Sequence, residues 1–321
     1  MLWEERFMIN HRKIAVVGCG FVGAASAFSI MQSGLFSEMV LIDADKAKAE
    51  GEALDISHGL PYAKPMNIYA GDYEDLSDAY LIVITAGANQ KPGETRLDLV
   101  KKNVAIFKTI VPEIVKYNKE AILLVVANPV DILTYVTAKL SGYPENRVLG
   151  SGTVLDTARL KYLLGEHLSV DIKNVHSFII GEHGDSEIVT WSFTNISGVP
   201  LNSYCEFMGH HNHKEAMEKI ADKVRNSAYE IISKKKATYF GIAMSVRKIC
   251  EVIVRNERAI LPVSSIQHSN FDLGDVALSM PRIVGSDGLG QFAPIILSDE
   301  ELEGIKKSAE ILKATIKELD I

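Results

Sequence analysis

The chain has 321 residues, 47% hydrophobic and 23% charged, enough to bury a large core and unlike a disordered or fibrous protein. A formal charge of -7, with only short basic runs such as Lys234-Lys235-Lys236, argues against nucleic acid as a partner. Three scattered cysteines (Cys19, Cys205, Cys250) fit neither a disulfide framework nor a zinc site. The segment MLWEERFMIN has acidic residues where a signal peptide needs basic ones, and apolar runs such as 121–127 are too short to span a bilayer. A soluble cytoplasmic protein is the expectation.

In chain order, short apolar runs at 13–17, 38–42, 66–70, 80–84, 121–126 and 147–150 read as strands. Helical patterns at 24–33, 45–57, 95–117 and 131–140 alternate with them. The runs at 80–84 and 121–126 are continuously apolar, as strands covered on both faces are. This alternation predicts an α/β fold with a doubly wound parallel sheet. Beyond residue 150 the pattern changes. A helix near 154–167 leads into VHSFII and then into polar, turn-rich sequence, followed by helices near 214–233 and 238–255. Strand-like runs at 260–266, 276–284 and 292–297 come next. A final helix opens on the capping box Ser298/Glu301 and carries an apolar seam from Leu302 to Leu319, which reads as packing with no catalytic part. Two domains are expected, 1–150 and 151–321, with no flexible linker between them.

The segment KIAVVGCGFVG runs a strand into Gly18-x-Gly20-x-x-Gly23 and then a helix. The first glycine permits a tight turn, the second lets backbone approach a pyrophosphate, and the third allows close helix–strand packing. A GxGxxG alone is weak evidence. Here Asp43 also closes the second strand, about twenty residues on, where a carboxylate can accept hydrogen bonds from an adenosine ribose. Its charge favours NAD over NADP, because a 2′-phosphate would meet a like charge.

TAGANQKPGETRLDLV follows the fourth strand, so it lies at the carboxyl edge of the sheet. Gly87, Pro92 and Gly93 punctuate a loop that could close as a lid and carry Arg96. Asp156 and Arg159 stand nearly one helical turn apart, and His183 sits between glycines at the end of a strand-like run. Each has an ordinary structural explanation by itself, as ion pair or strand-end histidine. Together with a nicotinamide pocket they suggest acid–base work on a carboxylate-bearing substrate. His210, His211 and His213 lack a completing ligand set and read as a solvated loop, so no metal is expected.

GCGFVG, TAGANQKPGETRLDL, VVANPVD, SGTVLDTARL, IIGEHGD and KKATYFGIAMSV together resemble the L-lactate dehydrogenases of bacterial type, in order from about residue 12 onward. The resemblance implies a Rossmann cofactor domain and a mixed α/β (α+β) substrate domain. It implies that His183 exchanges a proton with pyruvate or lactate, that Asp156 orients it, that Arg159 binds the substrate carboxylate and that Arg96 polarises the carbonyl. Asn128 and Thr238 would meet substrate. The implied cofactor surface is Gly18, Gly20, Phe21, Val22, Gly23, Asp43, Thr85, Ala86, Gly87, Val126, Asn128 and Ile242.

Gln90 separates two close relatives. Malate dehydrogenases of the superfamily carry arginine there for a second carboxylate, and a neutral Gln90 would leave that charge desolvated without a partner. Malate dehydrogenase or a broader 2-hydroxy acid dehydrogenase is the enzyme alternative. A non-catalytic NAD-binding protein on the same scaffold is the alternative outside enzymes, and it predicts loss of at least one of the four reacting residues. Two departures from the family pattern stand out. His176 matches the histidine that helps bind fructose 1,6-bisphosphate, but Lys161 stands where an arginine is usual. Lys236 stands where glycine is common. A homotetramer, or a dimer, is implied.

Overall fold

A computed structural model describes residues 8–88, 93–210, 213–268 and 270–319. The first half alternates β1 (Asn10–Val17), α1 (Phe21–Ser33), β2 (Glu38–Ile42), α2 (Lys46–Ser57), β3 (Asn67–Ala70), β4 (Ala79–Ile84), α3 (Arg96–Tyr117), β5 (Ile122–Val125), α4 (Val130–Ser141) and β6 (Val148–Gly150). The second half holds α5 (Val154–Leu168), β7 (Val175–His176), β8 (Ile179–Ile180), β9 (Ile188–Val189), β10 (Asn195–Ile196), β11 (Val199–Pro200) and α6 (Leu201–Phe207). It continues with α7 (His213–Lys235), α8 (Phe240–Val254), β12 (Ala259–Ile266), β13 (Ala277–Gly285), β14 (Gly288–Phe292) and α9 (Asp299–Lys317).

Strands pair in the order β3-β2-β1-β4-β5-β6, all parallel. The order reverses at β1, and there the carboxyl ends of β1 and β4 open a crevice. The continuous apolar runs are explained by the two faces of this sheet. Ile82 and Ile84 of β4 pack in the cluster with Phe107 and Leu133, whereas Leu81 and Val83 pack in the one with Ile30 and Val246. Truncating one such side chain to alanine costs about 2–5 kcal/mol.

The antiparallel strands β12, β13 and β14 do not form a separate sheet. Ser264 of β12 pairs with Gly150 of β6, which extends the parallel sheet to nine strands among the described residues. The two halves are therefore joined through continuous backbone hydrogen bonding. A third cluster, with Leu160, Leu164, Ile179, Ile220 and Val224, packs α5 against α7.

Three readings needed correction. The run at 292–297 contributes only Phe292 to a strand, since Pro294 cannot donate to a ladder and Ile296 is exposed. VHSFII is two two-residue strands, β7 and β8, that pair with different partners, β10 and β9. The break falls at Ser177, whose Oγ bonds Thr194 Oγ1 at 2.7 Å. The turn-rich stretch also contains α6, just after Pro200, a residue suited to precede a first turn.

Lys236 follows the last residue of α7 at φ 70°, and its N–H closes onto the Ile232 carbonyl at 2.8 Å. This left-handed helix terminus is where glycine relieves the Cβ strain, which is the physical reason a glycine suits the position. Lys236→Gly is expected to raise the unfolding free energy by about 0.5–1 kcal/mol. Chemical denaturation at matched protein concentration measures this, and a destabilised variant would contradict the strain argument.

Candidate active site

The glycine loop between β1 and α1 is built for close approach. Gly18 has φ +99°, and a Cβ there would fall 2.4 Å from the Ala86 nitrogen. A Cβ on Gly23 would lie 1.9 Å from the Gly18 carbonyl oxygen, which Thr85 Oγ1 also contacts, donating at 2.6 Å. Gly20 differs, because a Cβ there would meet nothing within 4 Å. No protein packing demands a glycine at that point, so the space suits a group from outside the chain. Gly20 caps α1 without a side-chain hydrogen bond, and the first turn holds no acid. Its free amides and positive dipole end favour phosphate.

Asp43 accepts the Cys19 N–H at 2.6 Å and the Asp45 N–H at 3.0 Å. It thus ties the glycine loop to β2, a structural role that sequence reasoning missed. Each carboxylate oxygen retains a second lone pair for a ribose hydroxyl. Val22 is half-buried against the core, while Phe21 is exposed and stacks on Tyr239 with centroids 5.6 Å apart. Beyond β4, Asn103 accepts the Ala88 N–H at 2.7 Å and donates to the Asn128 carbonyl at 2.7 Å. This joins the segment that contains Thr85, Ala86 and Gly87 to the end of β5. The loop and its supports fit a dinucleotide.

His183 lies in the turn between β8 and β9, and Asp156 in the first turn of α5. Asp156 is 2% exposed, and its carboxylate is divided between two partners. Oδ2 bonds His183 Nδ1 at 2.6 Å, and Oδ1 accepts from Arg159 Nη1 at 2.8 Å. The three residues picked out by spacing therefore share one carboxylate. From the other side, buried Asp131 accepts the His183 backbone N–H at 2.7 Å and the Ser264 hydroxyl at 2.6 Å. Val126, Asn128, Ser151, Gly152, Leu155, His183, Ile242 and Ser245 line one small cavity of about 30 Å³. Val126, Asn128 and Ile242, expected from the sequence at the cofactor, thus share a surface with His183. Thr238 stands half-buried in the loop before α8, four residues ahead of Ile242.

Burial alone would push the His183 imidazole's pKa down. The Asp156 carboxylate in contact with it, helped by Asp131 and Glu187, outweighs burial and raises it to about 9. Burial acts on Asp156 in the opposite sense, yet the imidazolium and Arg159 hold its pKa below the usual carboxylate value. Asp131 is pushed up to about 6 by burial, against the bonds from Ser264 and the His183 N–H. Glu187 was not anticipated at all. It lies with one oxygen, like those of Asp156 and the His183 ring nitrogen, inside a group spanning at most 4.8 Å. Burial, and then the Asp156 charge, push it up to about 8. Asp131 and Glu187 escaped sequence reasoning because an acid in a first turn and an acid after a glycine turn both look like solvated surface.

Arg96 opens α3, which Thr95 caps through a reciprocal box with Asp98. Its guanidinium pairs with Glu182, and its Nη1 lies 3.5 Å from Asp185 Oδ2. Both acids flank His183, so the structure brings Arg96 to the same segment. Gln90 lies outside the described residues. Lys161 on α5 is half-buried, which lowers its pKa, and His176 of β7 is exposed.

Comparison with known proteins gives a consistent result. Residues 12–150 match the family model of the lactate/malate dehydrogenase NAD binding domain, and residues 153–320 match that of the lactate/malate dehydrogenase alpha/beta C-terminal domain. The chain is 54% identical over 310 residues to an L-lactate dehydrogenase of Acetivibrio thermocellus, covering 97% of this chain and 98% of that one. It is 54% identical over 309 residues to an L-lactate dehydrogenase of Thermoanaerobacterium saccharolyticum, covering 96% and 99%. Among solved structures, a lactate dehydrogenase from a Medee basin deep-sea metagenome library superposes with a TM-score of 0.93 at 46% identity, covering 97% of this chain and 99% of that one. The ligand-bound minor L-lactate dehydrogenase of Enterococcus mundtii gives 0.93 at 42%, with the same coverage.

The raised pKa of His183 makes its pairing with Asp156 a pH-dependent contribution to stability. It is fully present below about 6.5, the unfolded value, and is lost as pH rises through about 9. The stability advantage of the wild-type chain over Asp156→Asn should therefore shrink between pH 6.5 and 9 in denaturant titrations. An advantage that grows across that interval would be inconsistent with the pairing.

Proposed function

The chain belongs to the lactate/malate dehydrogenase family, and on that footing we propose that it is an NAD-dependent L-lactate dehydrogenase, reversibly reducing pyruvate to L-lactate. The observation that carries this reading is the single Asp156 carboxylate held between His183 and Arg159, with His183 on the cavity that Val126, Asn128 and Ile242 share. We assign cofactor binding chiefly to 1–150 and substrate chemistry chiefly to 151–321, with Gln90 and Arg96 contributed from the first part.

Gly18, Gly20, Phe21, Val22, Gly23 and Asp43 hold the adenosine and pyrophosphate portion of NAD. Thr85, Ala86, Gly87, Val126, Asn128 and Ile242 border the nicotinamide portion. When bound, NADH supplies the hydride for the substrate carbonyl carbon. Because Nδ1 of His183 is engaged by Asp156, Nε2 is the atom left to pass a proton to the carbonyl oxygen. Asp156 fixes the tautomer and stabilises the imidazolium, and in lactate oxidation the neutral ring takes the proton back. Only Nη1 of Arg159 is committed to Asp156, so its remaining donors can grip the substrate carboxylate as a fork. Arg96 stabilises the negative charge developing on the carbonyl oxygen. Asn128 and Thr238 bound the substrate beside it.

Gln90 is neutral, which favours a methyl-bearing 2-oxo acid over oxaloacetate. Exposed apolar side chains along α1 and α8 (Phe21, Phe28, Phe240 and Met244) support self-association, here assigned as a homotetramer or a dimer. Lys161 and His176 are the residues to which fructose 1,6-bisphosphate is assigned, with lysine acting as a point charge in place of the arginine fork. No helix among the described residues is long and apolar enough to cross a membrane.

A substrate panel followed by nicotinamide absorbance tests the assignment, with and without fructose 1,6-bisphosphate. Pyruvate should exceed oxaloacetate in kcat/KM, and His183→Ala should lose about 10³-fold or more. Pyruvate reduction should fall as pH rises through about 9, where His183 gives up its proton. Preference for oxaloacetate would overturn the Gln90 argument, and full pyruvate reduction by His183→Ala would remove the acid–base role.

A further inference from the structure

We infer that Ser308, on the C-terminal helix α9, is a positioning residue for Arg96, acting through Ser186 and Glu182. This rests on the role of Arg96 proposed above. Ser308 is fully buried, and its hydroxyl sits between two parts of the segment that carries His183. Its Oγ accepts the Glu182 backbone N–H at 2.8 Å and shares a hydrogen bond with Ser186 Oγ at 2.9 Å. Ser186 Oγ in turn donates to Glu182 Oε2 at 2.5 Å. The other oxygen of Glu182, Oε1, holds Arg96. One buried hydroxyl thereby fixes both the backbone and, at one remove, the carboxylate that receives the guanidinium.

The physical need for this chain is clear from burial. The Glu182 side chain is 6% exposed, and a buried carboxylate must have partners. Ser186 satisfies one oxygen and Arg96 the other. The Arg96 side chain is 54% exposed and begins a helix, an end where the dipole disfavours a cation. Left to itself it would extend into solvent, so its inward placement depends on Glu182. Asp185, 3.5 Å from Nη1, is itself exposed and held by Tyr229 at 3.2 Å, so it is the weaker anchor.

The fit around Ser308 is close. Gly181 has φ +90°, and a Cβ there would lie 3.0 Å from Ser308 Oγ. A Cβ on Gly184 would come within 3.1 Å of Arg96 Nη2. The two glycines flanking Glu182 and His183 let α9 approach from one side and Arg96 from the other. On this inference α9 does more than pack, because one of its buried faces sets the placement of the Arg96 guanidinium.

A double-mutant cycle with Ser308→Ala and Arg96→Lys tests this, using whichever 2-oxo acid turns over fastest. In the wild-type background, Ser308→Ala should lower kcat about tenfold, with KM and the NADH dissociation constant (by fluorescence) little changed. In the Arg96→Lys background the same substitution should cost almost nothing. Ser186→Ala, which breaks the chain from the loop side, should behave alike. A readout independent of turnover is phenylglyoxal modification of Arg96, followed by mass spectrometry of its peptide, which should speed up severalfold in Ser308→Ala. Equal kcat losses in both backgrounds, or a lowered melting temperature with unchanged kcat and unchanged Arg96 reactivity, would reduce Ser308 to a packing residue. A chain that turns over no 2-oxo acid would instead defeat the functional proposal, while the Arg96 reactivity would still report on the positioning.

Discussion

Two cations cannot be held side by side in a protein interior without a negative charge behind them. In this chain the Asp156 carboxylate supplies it, buried between His183 and Arg159. Removing that charge would leave a buried imidazole that burial drives toward neutrality and a guanidinium without an anchor. The rest of the architecture can be read as what is required to keep one ionised carboxylate dry. α5 presents it one turn before Arg159, and the β8–β9 turn brings His183 over it. Asp131 then fixes the histidine backbone from α4.

That arrangement depends on the two halves sharing a sheet. Ser264, which donates to Asp131, belongs to β12, the strand that pairs directly with β6 of the parallel half. The site therefore draws on elements from both halves that are tied by backbone hydrogen bonds, and a hinge between independent domains is not required to assemble it. The residues assigned to the cofactor reach the same place by another route. The carboxyl ends of β1, β4 and β5 open toward one crevice, and Asn103 connects the β4 exit to Asn128 beside it. A parallel sheet with its order reversing at β1 makes this convergence a geometric consequence of the topology.

The site also contains more negative charge than its chemistry suggests. Asp131, Glu182 and Glu187 join Asp156 within a few residues of His183 or in contact with it. Each is handled differently. Asp131 takes two hydrogen bonds, Glu182 is paired with Arg96 and accepts the Ser186 hydroxyl, and Glu187 is pushed up to about 8 by burial and by the Asp156 charge. The Asp156 carboxylate in contact with the ring, ahead of Asp131 and Glu187, is the electrostatic reason the imidazolium holds its proton well above neutrality despite its burial.

What the sequence by itself determined was whatever depends on local spacing and period. The parallel strands, the long helices and the α9 cap were legible because periodicity, glycine turns and capping boxes act within a few residues. The GxGxxG loop was legible for the same reason, and so was the i, i+3 relation of Asp156 and Arg159. Their chemical meaning came from resemblance across separated segments. What only the tertiary structure decided was every relation made across long separations. These include the β6–β12 pairing, the Asp131 bond to the His183 backbone, the approach of Glu187 and the contact of Ser308 with Glu182. A buried carboxylate and a solvated one are the same letter in a sequence. Only the packing around them sets the dielectric and the partners, and those determine what the group can do.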